Sequence, residues 1–136
     1  MIYFHTEDIS FKFNKKLKVR SWLTKLIEEE KFERGDINII FCSDAYLLNV
    51  NKEYLHHDYY TDIITFNYVE DKIISGDLFI SIDSVKINSV EYSTEFETEL
   101  FRVLAHGVLH LIGYDDHCDD DITMMRQKEN YYLSIL

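Results

Sequence analysis

The residues best suited to chemistry lie in one stretch, His106-Gly107-Val108-Leu109-His110-Leu111-Ile112-Gly113-Tyr114-Asp115-Asp116-His117. His106 and His110 are four residues apart, so on a helix both imidazoles project from one face. A glycine then ends the helix and reverses the chain. Asp116 or His117 can therefore return as a third ligand to a small cation. Because three protein ligands leave a fourth zinc position for water, the segment predicts a metal-activated water and a hydrolytic reaction.

The metalloprotease signature His-Glu-x-x-His is not matched, because position 107 is glycine. The glutamate that serves as general base in those peptidases is thus absent from this helix. The base must come from elsewhere, with Asp115 and Asp116 as the nearest candidates, unless metal-bound hydroxide itself suffices. The sequence therefore points away from peptide hydrolysis, and we take Asp115 as the candidate catalytic carboxylate.

Composition predicts one folded domain over residues 1–136, because 46% of the chain is hydrophobic and 15% is aromatic. The net charge of -11 argues against a protein that coats nucleic acid nonspecifically, since phosphate contacts need lysine and arginine. Six of the fourteen basic residues nevertheless fall between Lys12 and Lys25. Lys18 and Lys25 share an edge of the helix predicted there, outside its apolar stripe, and are candidate RNA contacts.

The two cysteines, Cys42 and Cys118, give no disulfide framework, so reduced thiols are the simplest interpretation. No basic segment followed by an apolar run opens the sequence, and no apolar stretch is long enough to span a bilayer. We therefore expect a soluble cytoplasmic protein without a membrane partner.

Hydrophobic periodicity predicts the order strand, helix, strand, helix, strand, strand, helix, helix, with a further short helix starting at Asp83 or Ser84. The strands are predicted at 2–5, 37–41, 63–68 and 76–82, and the helices at 14–31, 43–55, 94–112 and 119–136, with Gly113 just past the end of the third of these helices. Asn14 is the expected N-cap of the first helix, Gly35-Asp36 a turn, and Thr94–Glu97 a capping box. A mixed sheet of about four strands packed with helices, an α/β (α+β) fold, is the economical architecture.

Three blocks of the chain resemble the YbeY family, the single-domain bacterial endoribonucleases of rRNA maturation. The histidine stretch resembles the family signature His-Gly-x-Leu-His-Leu-x-Gly-Tyr-Asp-His. Asn51–Phe66, which ends Thr-Asp-Ile-Ile-Thr-Phe, resembles its Thr-Asp-Val-Leu-Ser-Phe block, and Gly76–Ser81 resembles its Gly-Asp-Ile strand. The order and spacing of the blocks agree from about residue 36 onward.

The resemblance implies a zincin-like single domain with one zinc ion held by three side chains. It also implies single-strand-specific RNA cleavage in small-subunit rRNA 3′-end maturation and ribosome quality control. The implied partners are rRNA and the small ribosomal subunit, with ribosomal proteins or GTPases as further candidates.

Carried over by residue, His106 and His110 are the first two metal ligands. The family's last histidine lies six positions after the second, where this chain has Asp116, and His117 follows one residue later. An alignment to the family signature without a gap favours Asp116, whereas the preference of zinc for nitrogen ligands favours His117. We take Asp116 as the third ligand and His117 as its alternative. This ligand set suits zinc, although nickel or iron would also fit.

An arginine that the family often carries after the tyrosine of the upstream block is absent, because Leu55 follows Tyr54 here. Its role cannot be carried over to this position. Two rival functions stay open beside RNA cleavage. One is a ribosome-associated metal-binding module without catalysis, which a fourth protein ligand would favour. The other is a metal-dependent hydrolase of a different substrate.

Overall fold

A mixed four-stranded sheet packed with five helices forms the protein, for which the computed structural model describes residues 1–136. The elements are β1 (Ile2–Thr6), α1 (Lys16–Glu29), β2 (Glu33–Cys42), α2 (Asp44–Leu55), β3 (Ile63–Asn67), β4 (Ile73–Ser81), α3 (Ile82–Glu91), α4 (Phe96–Ile112) and α5 (Asp119–Ser134). The strand order is β1-β2-β4-β3, parallel except for β3, which runs antiparallel to β4 at one edge. The predicted α+β architecture is confirmed. None of the helices is both long and apolar enough to traverse a bilayer.

The two faces of the sheet carry separate cores because side chains alternate along each strand. Ile37, Ile39 and Phe41 of β2 enter the larger core, which also contains the buried stripes of α1 and α4. The opposite face carries a smaller core of Cys42, Leu47, Val50 and Ile64, with α2 packed on it. The stripe predicted for α1 is confirmed, since all of its members are buried, namely Val19, Trp22, Leu23, Leu26 and Ile27.

A glycine lets α4 lie close against the sheet. A Cβ at Gly107 would stand 2.7 Å from Ile63 Cδ1 and 3.1 Å from Leu78 Cδ1, so no larger residue fits without a shift of β3 or β4 side chains. The position that holds glutamate in peptidases is therefore a packing position here. This close approach sets His106 and His110 beside the β3 edge of the sheet.

Two predicted helix starts are wrong in detail. α1 begins at Lys16, with Lys15 rather than Asn14 at the N-cap and no side-chain capping bond. The capping box predicted from Thr94 is also absent, since Glu95 is the N-cap of α4. The physical reason is that the Thr94 amide already donates to the Ser89 carbonyl, while the carboxylate of Glu97 pairs with Lys15 at 2.6 Å.

The turn predicted at Gly35-Asp36 is instead part of β2. The pairing of β2 with β4 shifts register between Arg34 and Ile37, as in a β-bulge. Gly35 fits there because a Cβ would meet Ser75 Oγ at 2.3 Å. Glycine in a strand often marks such a bulge rather than a turn, which explains the error.

Candidate metal centre

Three side chains predicted as metal ligands meet at the end of α4. The Nε2 atoms of His106 and His110 are 2.9 Å apart, and Asp116 Oδ2 lies 3.5 Å from each of them. The helix ends at Gly113, whose φ of 125° suits only glycine. The chain then turns back, and this reversal brings Asp116 to the two imidazoles. His106, His110 and Asp116 form the one cluster whose donor atoms could share an ion.

Hydrogen bonds from the far side of each imidazole orient the cluster. His106 Nδ1 lies 2.7 Å from Glu129 Oε2, and His110 Nδ1 lies 2.8 Å from the Tyr114 carbonyl oxygen. Both partners are acceptors, so each neutral ring carries its proton on Nδ1 and a lone pair on Nε2. Two lone pairs and a carboxylate oxygen thus face one small space. Such a donor set repels itself unless a cation or a shared proton lies between its members.

Two of the three donor-atom spacings match those around zinc. A tetrahedral zinc with bonds of about 2.0–2.1 Å separates its ligand atoms by about 3.3–3.5 Å. Asp116 Oδ2 lies 3.5 Å from each Nε2 atom, whereas the two Nε2 atoms are closer to each other, at 2.9 Å. Two nitrogens and one oxygen are also ligands that zinc accepts, and imidazoles hydrogen-bonded to a carboxylate or a carbonyl are usual around it.

Glu129 on α5 links the cluster to Arg102, whose side chain is partly buried. Its carboxylate is 5% exposed and accepts from Arg102 Nη1 at 3.1 Å while also contacting His106. Burial acts to lower the pKa of His106, but the hydrogen bond and charge of Glu129, with Asp116 and Asp62, raise it overall. For Glu129, burial raises the pKa, but its hydrogen bond and charge interaction with His106, together with the two arginines near it, lower it overall.

Sequence reasoning missed Glu129, although a signal was present. Met125 and Tyr132 are apolar residues of α5, and both are buried. Glu129 lies four residues after the first and three before the second, on the same helical face. A carboxylate on a buried stripe needs a partner. Ile122, nearer the start of the same helix, is half exposed and lies on the wall of a cleft.

Asp115 and His117 lie outside the cluster. Their side chains are 62% and 82% exposed, and they face each other at 3.7 Å. Neither residue lines the cleft described next. The structure thus brings Asp116, and not His117, to the two helical histidines, and it does not bring the candidate base Asp115 there.

A cleft of about 320 Å³ opens beside the cluster, between α3, α4 and α5. It is lined by Asp62, Asn88, Tyr92, Glu99, Arg102, Val103, His106, Asp116, Ile122, Met125, Arg126 and Glu129. Lys18 and Lys25 are not among these residues. Both are exposed on α1, where Lys25 lines a separate depression with Arg20 and Arg34. Their contact with RNA stays a prediction.

Asp62 is a second carboxylate that sequence reasoning did not single out for catalysis, although it belongs to the Thr-Asp block. Its Oδ2 accepts from Asn88 Nδ2 at 3.2 Å, and it lines the cleft with His106. Burial raises the pKa of Asp62, and the nearby His106 lowers it only in part. A carboxylate with a raised pKa beside a candidate metal site is suited to accept a proton.

Comparison with known proteins settles the family. The sequence profile described as Endoribonuclease YbeY matches residues 1–136. The chain belongs to the YbeY family. The Endoribonuclease YbeY of Cytophaga hutchinsonii is 47% identical over 135 residues, which cover 98% of this chain and 94% of that protein. The Endoribonuclease YbeY of Parabacteroides distasonis is 46% identical over 135 residues, covering 99% and 95%.

A solved structure of a Thermotoga maritima protein confirms the YbeY-type fold. This solution structure matches with a TM-score of 0.70 at 28% identity, covering 98% of this chain and 87% of that one. The basic side chains that line the cleft of this chain are Arg102 and Arg126, on α4 and α5.

Proposed function

We propose that the chain is a zinc-dependent endoribonuclease that cleaves single-stranded RNA during small-subunit rRNA 3′-end maturation and ribosome quality control. The observation that carries this proposal is the three-donor cluster of His106, His110 and Asp116 at the edge of an open cleft. Family membership supplies the reaction, since the relatives named above are endoribonucleases.

In this proposal each residue of the centre has a separate task. His106, His110 and Asp116 hold the ion, while Glu129 and the Tyr114 carbonyl keep both imidazoles in the tautomer that presents Nε2. Bound zinc supplies a Lewis acid that lowers the pKa of water and offsets charge on the scissile phosphate.

The proton of the attacking water needs an acceptor in the cleft. We assign this role to the carboxylate of Asp62 rather than to Asp115, because only Asp62 lines the cleft with His106. Arg126 is suited to contact the RNA backbone, since its side chain is 57% exposed and its contact with Glu129 is loose at 3.6 Å. Arg102 is held by Glu129 and is less available.

A fourth protein ligand would favour the rival binding-module function. His117, the alternative third ligand, does not join the cluster beside Asp116, because its exposed side chain pairs with Asp115 instead. The geometry therefore favours an open position and a hydrolytic role. A hydrolase of another substrate has no observation in its favour.

We propose that the partner of the chain is rRNA of the small ribosomal subunit. We also propose that the protein acts in the cytoplasm. Both cysteines are free, Cys42 buried and Cys118 exposed, which fits a reducing compartment. Ribosomal proteins or GTPases stay candidate partners on the strength of the resemblance alone.

Cleavage of single-stranded RNA tests the proposed function. The zinc-loaded chain is expected to cut a labelled single-stranded oligonucleotide, and His110→Ala is expected to be inactive because a metal ligand is lost. His117→Ala is the matched control, since it removes an exposed imidazole outside the cluster. Activity in His110→Ala equal to that of the unchanged chain would refute the proposal, as would the absence of cleavage by the zinc-loaded chain.

A further inference from the structure

A buried carboxylate in the cleft has no partner within the protein. Glu99 on α4 is 5% exposed and lines the cleft, yet its side chain forms neither a hydrogen bond nor an ion pair. Burial raises the pKa of Glu99, and the charges of Arg102 and Arg126 lower it only in part. A carboxylate so placed costs free energy unless a hydrogen-bond donor completes it. A ligand that brings N–H or O–H donors into the cleft would complete this carboxylate.

Glu99 is too far along α4 to act on a water molecule at the metal centre. It precedes His106 by seven residues, which is about 10 Å along a helix axis at about 1.5 Å per residue. Glu99, Val103 and His106 nevertheless share one face of the helix, because their spacings are four and three residues. A strand bound across the centre would thus present a neighbouring nucleotide to Glu99.

The walls of the cleft suit a flat heterocycle. Val103, Ile122 and Met125 supply apolar surface, and Tyr92 at the end of α3 leaves 62% of its surface exposed. The volume of about 320 Å³ is at the lower end of the range of about 300–1,000 Å³ for small-ligand sites. Unpaired RNA bases are commonly bound by stacking on aromatic rings and by hydrogen bonds to their Watson–Crick edges.

We propose that this cleft is a pocket for the base of a nucleotide that flanks the cleaved bond, and that Glu99 selects guanine. The inference rests on the proposed endoribonuclease function. An ionised carboxylate only accepts hydrogen bonds. Guanine alone offers two adjacent donors, N1–H and the 2-amino group, whereas adenine and cytosine pair one donor with an acceptor and uracil has one N–H.

Binding of guanosine 5′-monophosphate and inosine 5′-monophosphate to the full zinc-loaded chain tests the pocket, because the two probes differ only in the 2-amino group. NMR chemical-shift titration should show the guanosine nucleotide bound about tenfold more tightly, with shifts centred on Glu99 and Val103, since a bidentate contact contributes about 1–3 kcal/mol. Glu99→Gln should abolish this preference. The NH2 group of the glutamine side chain would face one of the two N–H donors of guanine, and two donors cannot form a hydrogen bond with each other. Glu91→Gln on exposed α3 surface is the matched control and should retain the preference.

A second variant separates selection from stacking. Tyr92→Ala changes an exposed side chain. It should weaken the binding of both nucleotides by a similar factor, while the preference for the guanosine nucleotide persists. Four results would each refute the guanine-pocket proposal. They are equal binding of the two nucleotides, no saturable binding, chemical-shift changes centred outside the cleft, and an unchanged preference in Glu99→Gln. Guanosine selectivity in a chain that cuts no RNA would refute the endoribonuclease proposal and not the pocket.

Discussion

At the scale of single residues, the centre depends on side chains that fix the two imidazoles before any ion binds. His106 is held by Glu129 and His110 by a backbone carbonyl, so their Nε2 atoms converge at 2.9 Å. Glu129 is in turn held by Arg102. This chain of contacts makes Glu129 a positioning residue, since it would act on the ion only through His106.

Replacement of Glu129 should weaken metal binding while the fold is retained. Glu129→Gln keeps the shape of the side chain but removes the charge that orients His106 and pairs with Arg102. We expect zinc affinity to fall by about 10–100-fold, which is the usual cost of losing such a partner. Competition with a chromophoric chelator measures this affinity.

Glu28→Gln is the matched control, because Glu28 is exposed on α1 and should leave zinc affinity unchanged. Far-UV circular dichroism checks that both variants fold. Unchanged zinc affinity in folded Glu129→Gln would remove the positioning role.

The histidine pair could be predicted from spacing alone, because residues four apart on a helix share a face. The contact between His106 and Glu129 could not, since it joins residues 23 apart in the chain through the packing of α4 on α5. Spacing also favoured Asp116 over His117, and the turn after Gly113 does bring Asp116 to the histidines. Whether Asp116 binds an ion stays a prediction.

At the scale of elements, the placement of α4 determines where the candidate metal centre lies. The distance between α4 and the sheet is set at Gly107. Gly107→Ala should destabilise the protein by about 1 kcal/mol. The new Cβ would overlap Ile63 and crowd Leu78 at a cost of about 1–3 kcal/mol, and the helix preference of alanine over glycine offsets roughly 1 kcal/mol of that cost. Urea unfolding measures the difference.

Ser21→Ala serves as the comparison for this variant, since Ser21 is exposed on α1 and the substitution should change the free energy of unfolding by little. A Gly107→Ala protein as stable as the unchanged chain would mean that α4 does not need this close approach.

The elements with a strong hydrophobic periodicity were predicted correctly. The residues at which these elements begin and end were not. The stripe of α1 follows from its sequence because burial repeats with the helical period. The start of α4 does not, because Thr94 is bonded to Ser89 at the end of α3 and Glu97 to Lys15. Tertiary contacts thus replaced the local capping pattern.

At the scale of the whole molecule, Glu30 joins three parts of the chain behind the centre. Its carboxylate accepts from Tyr114 at 2.6 Å and from Lys128 at 3.1 Å, and it also contacts Tyr132. α1 is thereby tied to α5 and to the turn whose Tyr114 carbonyl holds His110.

Stability should depend on pH through Glu30. Burial raises the pKa of Glu30, but the hydrogen bonds from Tyr114, Tyr132 and Lys128 lower it below its ordinary value of 4.5. A depressed folded-state pKa contributes stability above about pH 4.5 that is lost as the pH falls through the folded-state value. Glu30→Gln should therefore cost about 1–3 kcal/mol at pH 7 and progressively less below pH 4.5.

Urea unfolding of both proteins from pH 7 down to pH 3 follows this difference, and Glu28→Gln on the same helix is the control. A cost of Glu30→Gln that stays constant or grows toward pH 3 would contradict the assignment.

Metal binding by His106, His110 and Asp116 can be observed by anomalous diffraction at the zinc edge from crystals of the zinc-loaded chain. We expect a single peak within bonding distance of the Nε2 atoms of both histidines and of a carboxylate oxygen of Asp116. A peak bonded to His117 in place of Asp116, or no peak beside the two histidines, would contradict this expectation.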